Sequence, residues 1–282
     1  MAGATISYNG LALDTAPYSI AAAENLIGGD NLRTNDLLYV DRSGVIPGRD
    51  YVGGKTITLT IDVYADSDAA FNTAVSNLQT AFAYPDEAEL PLSFTIPGLA
   101  AGESAQINVR PRRLSLPYKT GWKSAHYGQA VVELFASDGA KYSSSVFSVI
   151  TGLSASGGGF IFPEIFPLIF AGGGSLGIVT ATNLGNVPTA PWFTIAGPVT
   201  NPTIRNETAG RQISVGMSVL AGETLWIDTA DRSVLLDGTA SRYSLLTSAE
   251  WFDLAPGDNE IRFTGSSAGS PNLTVQWRSS WL

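Results

Sequence analysis

The chain has 282 residues, with 16 Lys and Arg against 25 Asp and Glu, one histidine and no cysteine. That excludes disulfides, thiolate catalysis, sulfur-based metal sites and any site built on two histidines. A formal charge of −9 argues against a nucleic-acid binder, which needs a basic surface to neutralise phosphates, and the charged fraction of only 15%, where about a quarter is usual, points to a surface largely covered by partners.

Met1-Ala2-Gly3-Ala4-Thr5 lacks the positive start and apolar run of a signal peptide. The most apolar stretch, residues 160–170, is well short of the about 20 residues of a membrane helix and contains Pro163, Glu164 and Pro167. A soluble protein with no membrane partner is expected.

Thirty glycines, 15 prolines and many short runs of Val, Ile, Thr, Phe and Tyr read as mainly β structure. The strongest strand signal is the alternation in residues 56–63, which puts Ile57, Leu59, Ile61 and Val63 on one face. Further strands are expected at residues 92–96, 105–114, 129–136 and 144–150. One helix stands out: Asp66, Ser67 and Asp68 offer N-caps, Phe71, Val75, Leu78 and Phe82 follow at helical spacing, and Tyr84-Pro85 ends it. Its aromatic stripe is expected to pack on a sheet.

A Gly/Ser linker at residues 151–159 and a second at 172–175 flank the Phe/Pro strip 160–170. Two prolines favour an extended path there, and so apolar a strip must lie either in a groove of its own domain or on a neighbouring chain. The expected organisation is therefore an N-terminal domain at 1–150, a linker strip at 151–175 and a C-terminal β-sandwich at 176–282. In that last part strand-like runs occur at 176–182, 191–196, 212–220, 224–229, 233–236, 259–263 and 273–277, with turns at Asp237-Gly238 and Pro256-Gly257.

No catalytic, cofactor-binding or metal-binding residues emerge, and no cofactor is expected. Gly54-Lys55-Thr56 resembles the end of a phosphate loop, but Arg49 stands where the first glycine belongs and a strand follows where a helix is required. His126 has no nucleophile elbow to serve. Carboxylate pairs meet in space and not in sequence, so the 25 acidic residues leave glycoside hydrolysis open. Trp192, Trp226, Trp251, Trp277 and Trp281 invite a sugar-stacking reading beside the plainer one of core or interface packing. Asn206-Glu207-Thr208 and Asn272-Leu273-Thr274 match glycosylation sequons, a pattern short enough to recur by chance. Arg110-Pro111-Arg112-Arg113, the one basic cluster, is expected to meet an acidic neighbour.

Several motifs, in order, carry a family resemblance. They are Pro47-Gly48-Arg49-Asp50-Tyr51-Val52-Gly53-Gly54-Lys55-Thr56, Pro91-Leu92-Ser93-Phe94, Arg110-Pro111-Arg112, Tyr127-Gly128-Gln129-Ala130 and the Phe/Pro strip. In the C-terminal part they are Asn201-Pro202-Thr203-Ile204-Arg205-Asn206, Leu235-Leu236-Asp237-Gly238 and Trp251-Phe252-Asp253-Leu254-Ala255-Pro256-Gly257-Asp258-Asn259-Glu260-Ile261. Together they resemble the distal tail proteins of long-tailed, non-contractile bacteriophages, the siphovirus tail component family. The resemblance implies a mainly β fold: an N-terminal β-barrel or sandwich with one helix, and a C-terminal galectin-like β-sandwich. It implies a non-enzymatic virion tail protein, assembled in the host bacterial cytoplasm. Six copies would close a ring at the distal end of the tail, joining the tube protein to tail-tip and hub proteins. The tape-measure protein and DNA would pass through the lumen without specific binding. Residues 30–50 are expected to help line that channel. The alternative function is a carbohydrate-binding module that touches host surface glycans.

Overall fold

The computed structural model describes residues 5–28, 31–84, 88–95, 104–117, 121, 125–154, 177–267 and 269–282. The Phe/Pro strip 160–170, the linker 172–175 and Pro85 lie outside the described residues. Two compact units emerge, Met1–Ser144 with Trp281–Leu282, and Ser145–Ser280.

The first unit is built on one antiparallel sheet. Its strand order is Leu11–Ala12, Thr5–Tyr8, Leu90–Thr95, Ala105–Ser115, Tyr127–Ala136, Lys55–Tyr64 and Tyr18–Glu24. The path ends on two different strands, so the sheet is open and the barrel form of the expectation is not closed. Strand Ala105–Ser115 joins its halves: residues 105–109 pair with Leu90–Thr95, and residues 110–115 pair with Tyr127–Ala136 across a bulge between Pro111 and Arg113. A bulge turns a strand and tolerates the missing N–H of proline. Strand Lys55–Tyr64 delivers the expected alternation, with Ile57, Leu59, Ile61 and Val63 fully buried. Burial of each contributes about 1.5–3 kcal/mol.

The helix runs Asp68–Ala81, capped by the Ser67 hydroxyl, which accepts from Ala70 N. Phe71, Ala74, Leu78 and Ala81 form its buried face, with Val75 packed beside them. Tyr18 Oη donates to Ala74 O at 2.8 Å, and Tyr8 stacks on Phe82 with ring centroids 5.0 Å apart.

The second unit is a two-sheet antiparallel sandwich. One sheet runs Phe147–Gly152, Asn272–Trp277, Trp192–Ala196, Thr224–Asp228, Ser233–Leu236 and Ala240–Ser241. The other runs Ile178–Asn183, Gly257–Ser266, Val199–Asn206, Arg211–Val215 and Leu246–Ala249, with Ser218–Val219 beside Val199–Asn206. Phe193, Ile195, Leu225, Ile227 and Val275 face Ile204, Ile213, Val215, Ile261 and Phe263 in one core. The Pro256-Gly257 turn, with Gly257 at φ 88°, is locked by buried Asn259, whose side chain bonds Ala255 N and O and Gly257 O.

The structure corrects the expected domain boundary. Residues 144–150 do not form one N-terminal strand. Lys141–Ser143 pairs with Ala105–Ser115, whereas Phe147–Gly152 pairs with Asn272–Trp277 and so belongs to the sandwich. Thr151 and Gly152, expected in the linker, complete that strand. The hydrogen-bonding demand of the edge beside Asn272–Trp277 outweighs the turn signal of Thr151-Gly152.

Candidate functional site

The feature that stands out from the first unit is an arm, residues 31–52, between strands Tyr18–Glu24 and Lys55–Tyr64. Two short ladders hold it. Leu32–Arg33 pairs with Tyr51–Val52, and Leu37–Leu38 pairs with Val45–Ile46. At its base Gly53 N donates to Asn31 O at 2.7 Å. Midway, Gly48 N donates to Asp36 Oδ1 at 2.9 Å, and a Cβ on Gly48 would lie 2.1 Å from Asn35 O, so only glycine fits. Near the tip, Gly44 takes φ 113°.

Eight large apolar side chains of this arm face solvent: Leu32, Leu37, Leu38, Val40, Val45, Ile46, Tyr51 and Val52. Leu38 is 79% exposed and Val40 entirely so. A hairpin this thin has no interior of its own, and an apolar patch left in water marks an interaction site. Arg42 lies over the Tyr39 ring at 3.8 Å, and Arg33 and Arg49 lie over Tyr51 at 5.4 and 5.3 Å. Residues 31–50 carry three arginines (33, 42, 49) and three aspartates (36, 41, 50), so the arm is charge-balanced within a negative chain.

The other sequence candidates resolve into packing and pairing. His126, at φ 47°, places Nε2 3.1 Å from Asp68 Oδ1, beside the helix N-terminus; Ser124 lies outside the described residues. Gly54 leads directly into strand Lys55–Tyr64, and a Cβ on it would meet Ala136 O at 2.8 Å. Arg113 pairs with Glu133 on the adjacent strand at 3.4 Å, while Arg110 and Arg112 lie over the Phe135 ring. The acidic neighbour expected for this cluster is thus a residue of the same sheet. Tyr127 Oη and Gln129 Nε2 both donate to Asp62 Oδ1 at 2.9 Å, and that bond holds the Tyr127 hydroxyl above its usual range. Asn206 of the first sequon is buried, its Oδ1 accepting from Ala209 N. Glu207 accepts from Arg262 and from Arg205, the Arg262 bond foremost in holding its carboxyl below the usual range. Among the described residues no three His, Asp or Glu side chains gather as a metal site.

The tryptophans divide by strand parity. Trp277 shares a face with Leu273 and Val275 and is buried, its Nε1 donating to Thr182 O at 3.1 Å. Trp226 alternates with buried Leu225 and Ile227, and is therefore turned outward and 44% exposed. Trp192 likewise alternates with buried Phe193. That parity is legible in the sequence and separates the two kinds. The arm had no comparable signal, because its strands are two residues long.

Residues 184–281 match the family model for the siphovirus-type tail component, C-terminal domain. That match falls within the C-terminal unit, which is similar to the C-terminal domain of siphovirus-type tail components.

Solved structures share the whole fold. The crystal structure of SPP1 Dit (gp 19.1), described as a paradigm of the hub adsorption apparatus in phages infecting Gram-positive hosts, superposes with a TM-score of 0.67 at 9% identity, over 98% of this chain and 99% of that one. A chain of the phage P2 baseplate in its activated conformation with Ca gives 0.53 at 8% identity, over 97% of each. No curated protein matches the chain significantly by sequence.

Proposed function

We propose that the protein is a non-catalytic hub element whose copies, six by the resemblance, close a ring at the distal end of a phage tail. It would join the tube to tip and adsorption proteins. The exposed arm carries this reading. Heterologous contacts that close into a ring join one patch on each copy to a different patch on the next, and the exposed apolar arm supplies one such patch. Burying Leu37, Leu38 and Val40 on a neighbour would contribute about 1.5–3 kcal/mol each before ordering costs. The arm's apolar, charge-balanced surface suits a protein contact better than a wall facing DNA, so the channel lining is assigned elsewhere on the acidic chain. The net charge of −9 disfavours adhesion of DNA as it passes. The hub role that the SPP1 relative's description states supports the same placement.

Native mass spectrometry of the purified chain and of the Leu38→Ser/Val40→Ser double variant tests this. The wild type is expected to give a closed oligomer and the variant monomers with an unchanged circular dichroism spectrum. Equal assembly of the two would contradict it.

A further inference from the structure

The solvent face of the sandwich sheet containing Trp226 holds a cleft of about 600 Å³ whose lining includes Trp192, Trp226, Asp228, Asp231, Ser233 and Leu235. Cross-strand register builds it. Trp226 stands between Thr194 and Leu235, and Trp192 between Gln276 and Asp228, with Ser233 beyond Asp228. Trp192 is pinned, its Nε1 donating to Gln276 Oε1 at 3.1 Å. Asp228 Oδ1 accepts from the backbone N–H groups of Ala230 and Asp231, at 2.8 and 3.2 Å, which turns the chain and brings Asp231 to the rim. Trp226 has no ring or hydrogen-bond partner among the described residues.

We infer that this cleft binds a neutral pyranose of a cell-surface glycan. The negative face of an indole attracts the weakly positive C–H face of a sugar ring, and Leu235 extends that platform. Carboxylates and a hydroxyl at the edge accept and donate to equatorial sugar hydroxyls, the usual pairing of an apolar floor with a few fixed polar groups. Asp228 and Asp231, with no lysine or arginine in the lining, select against phosphodiester or uronic polymers. The same two aspartates and Ser233 disfavour a protein occupant, because interface cores are depleted in Asp and Ser. The cleft is open, so each site binds weakly, with a dissociation constant of about 1 mM, and copies presented together would bind by avidity. This inference goes beyond the ring, and its test is independent of assembly.

The test compares wild type, Trp226→Ala, Trp226→Tyr and Asp231→Asn. Each is applied to an array of neutral hexose glycans and titrated with lactose, maltotriose, cellotriose and poly(glycerol phosphate). Circular dichroism and native mass spectra of the same samples report folding and assembly. Wild type is expected to bind neutral glycans and not poly(glycerol phosphate). Trp226→Ala should weaken binding at least about tenfold, Asp231→Asn should weaken it several-fold, and Trp226→Tyr should retain most of it. If Trp226→Ala misfolds, Asp231→Asn and Trp226→Tyr carry the comparison. Absence of neutral-glycan binding by folded wild type, binding undiminished in the variants, or preference for poly(glycerol phosphate) would each overturn the inference, whatever the state of assembly.

Discussion

Residues 31–52 and 55–64 follow each other in the chain and are both rich in Leu, Val and Ile, yet their fates are opposite. In strand Lys55–Tyr64 every second side chain is fully buried between the helix and the sheet. In the arm, Leu32, Leu37, Leu38, Val40, Val45 and Ile46 all face water. The strand has a ladder partner on each side, Tyr127–Ala136 and Tyr18–Glu24, whereas the arm pairs only with itself, two residues at a time. Apolar composition alone therefore says nothing about stability. What decides is whether the chain itself supplies the surface that covers the residue, and for the arm it does not.

The largest expected effect sharpens this contrast. Ile61→Ala should lower unfolding free energy by about 2–5 kcal/mol, whereas Leu38→Ser/Val40→Ser should change it by less than about 0.5 kcal/mol per site. Urea melts of the dilute, unassembled protein read both values. Comparable losses from strand and arm would erase the distinction.

A smaller effect concerns a polar group inside the same core. The Tyr8 hydroxyl is buried without a hydrogen-bond partner among the described residues, and burial pushes its pKa from 10.0 up to about 12. Tyr8→Phe should stabilise the first unit by about 1 kcal/mol, by removing an unsatisfied buried oxygen while keeping the stack on Phe82. The pH dependence follows from the raised value. The unfolded chain releases this proton first, so wild-type stability holds below pH 10.0 and falls as pH climbs toward about 12. Thermal melts at pH 8 and pH 11, both values approximate settings around that window, should show the gap between variant and wild type widening at the higher pH. A constant gap would contradict the assignment.

Strand Lys55–Tyr64 and helix Asp68–Ala81 were readable because period and cap chemistry agree locally. The central strand Val199–Asn206 was not. Its Asn201-Pro202 reads as a turn, and Asn201 does take φ 52°. The structure absorbs the interruption as a register shift between Thr200 and Thr203 and continues the pairing with Gly257–Ser266 beyond it. Strand Phe147–Gly152 is readable as a strand but not as part of the sandwich, because its partner Asn272–Trp277 lies 120 to 130 residues further along the chain. The arm has no strand signal in the sequence, since no periodicity can be measured over two residues. The cleft is half legible in the sequence: strand parity turns Trp192 and Trp226 away from the face that Trp277 shares with the core, but the cross-strand neighbours that complete the cleft follow only from the register.

Burial of the arm by a second copy is the claim on which the assembly reading stands. An electron cryo-microscopy map of tail tips carrying this protein tests it most directly. Density is expected to show residues 31–52 of each copy laid on the next, with Leu38 and Val40 covered and the ring closed. Copies whose arms project into solvent, or that touch one another only through other surfaces, would contradict it.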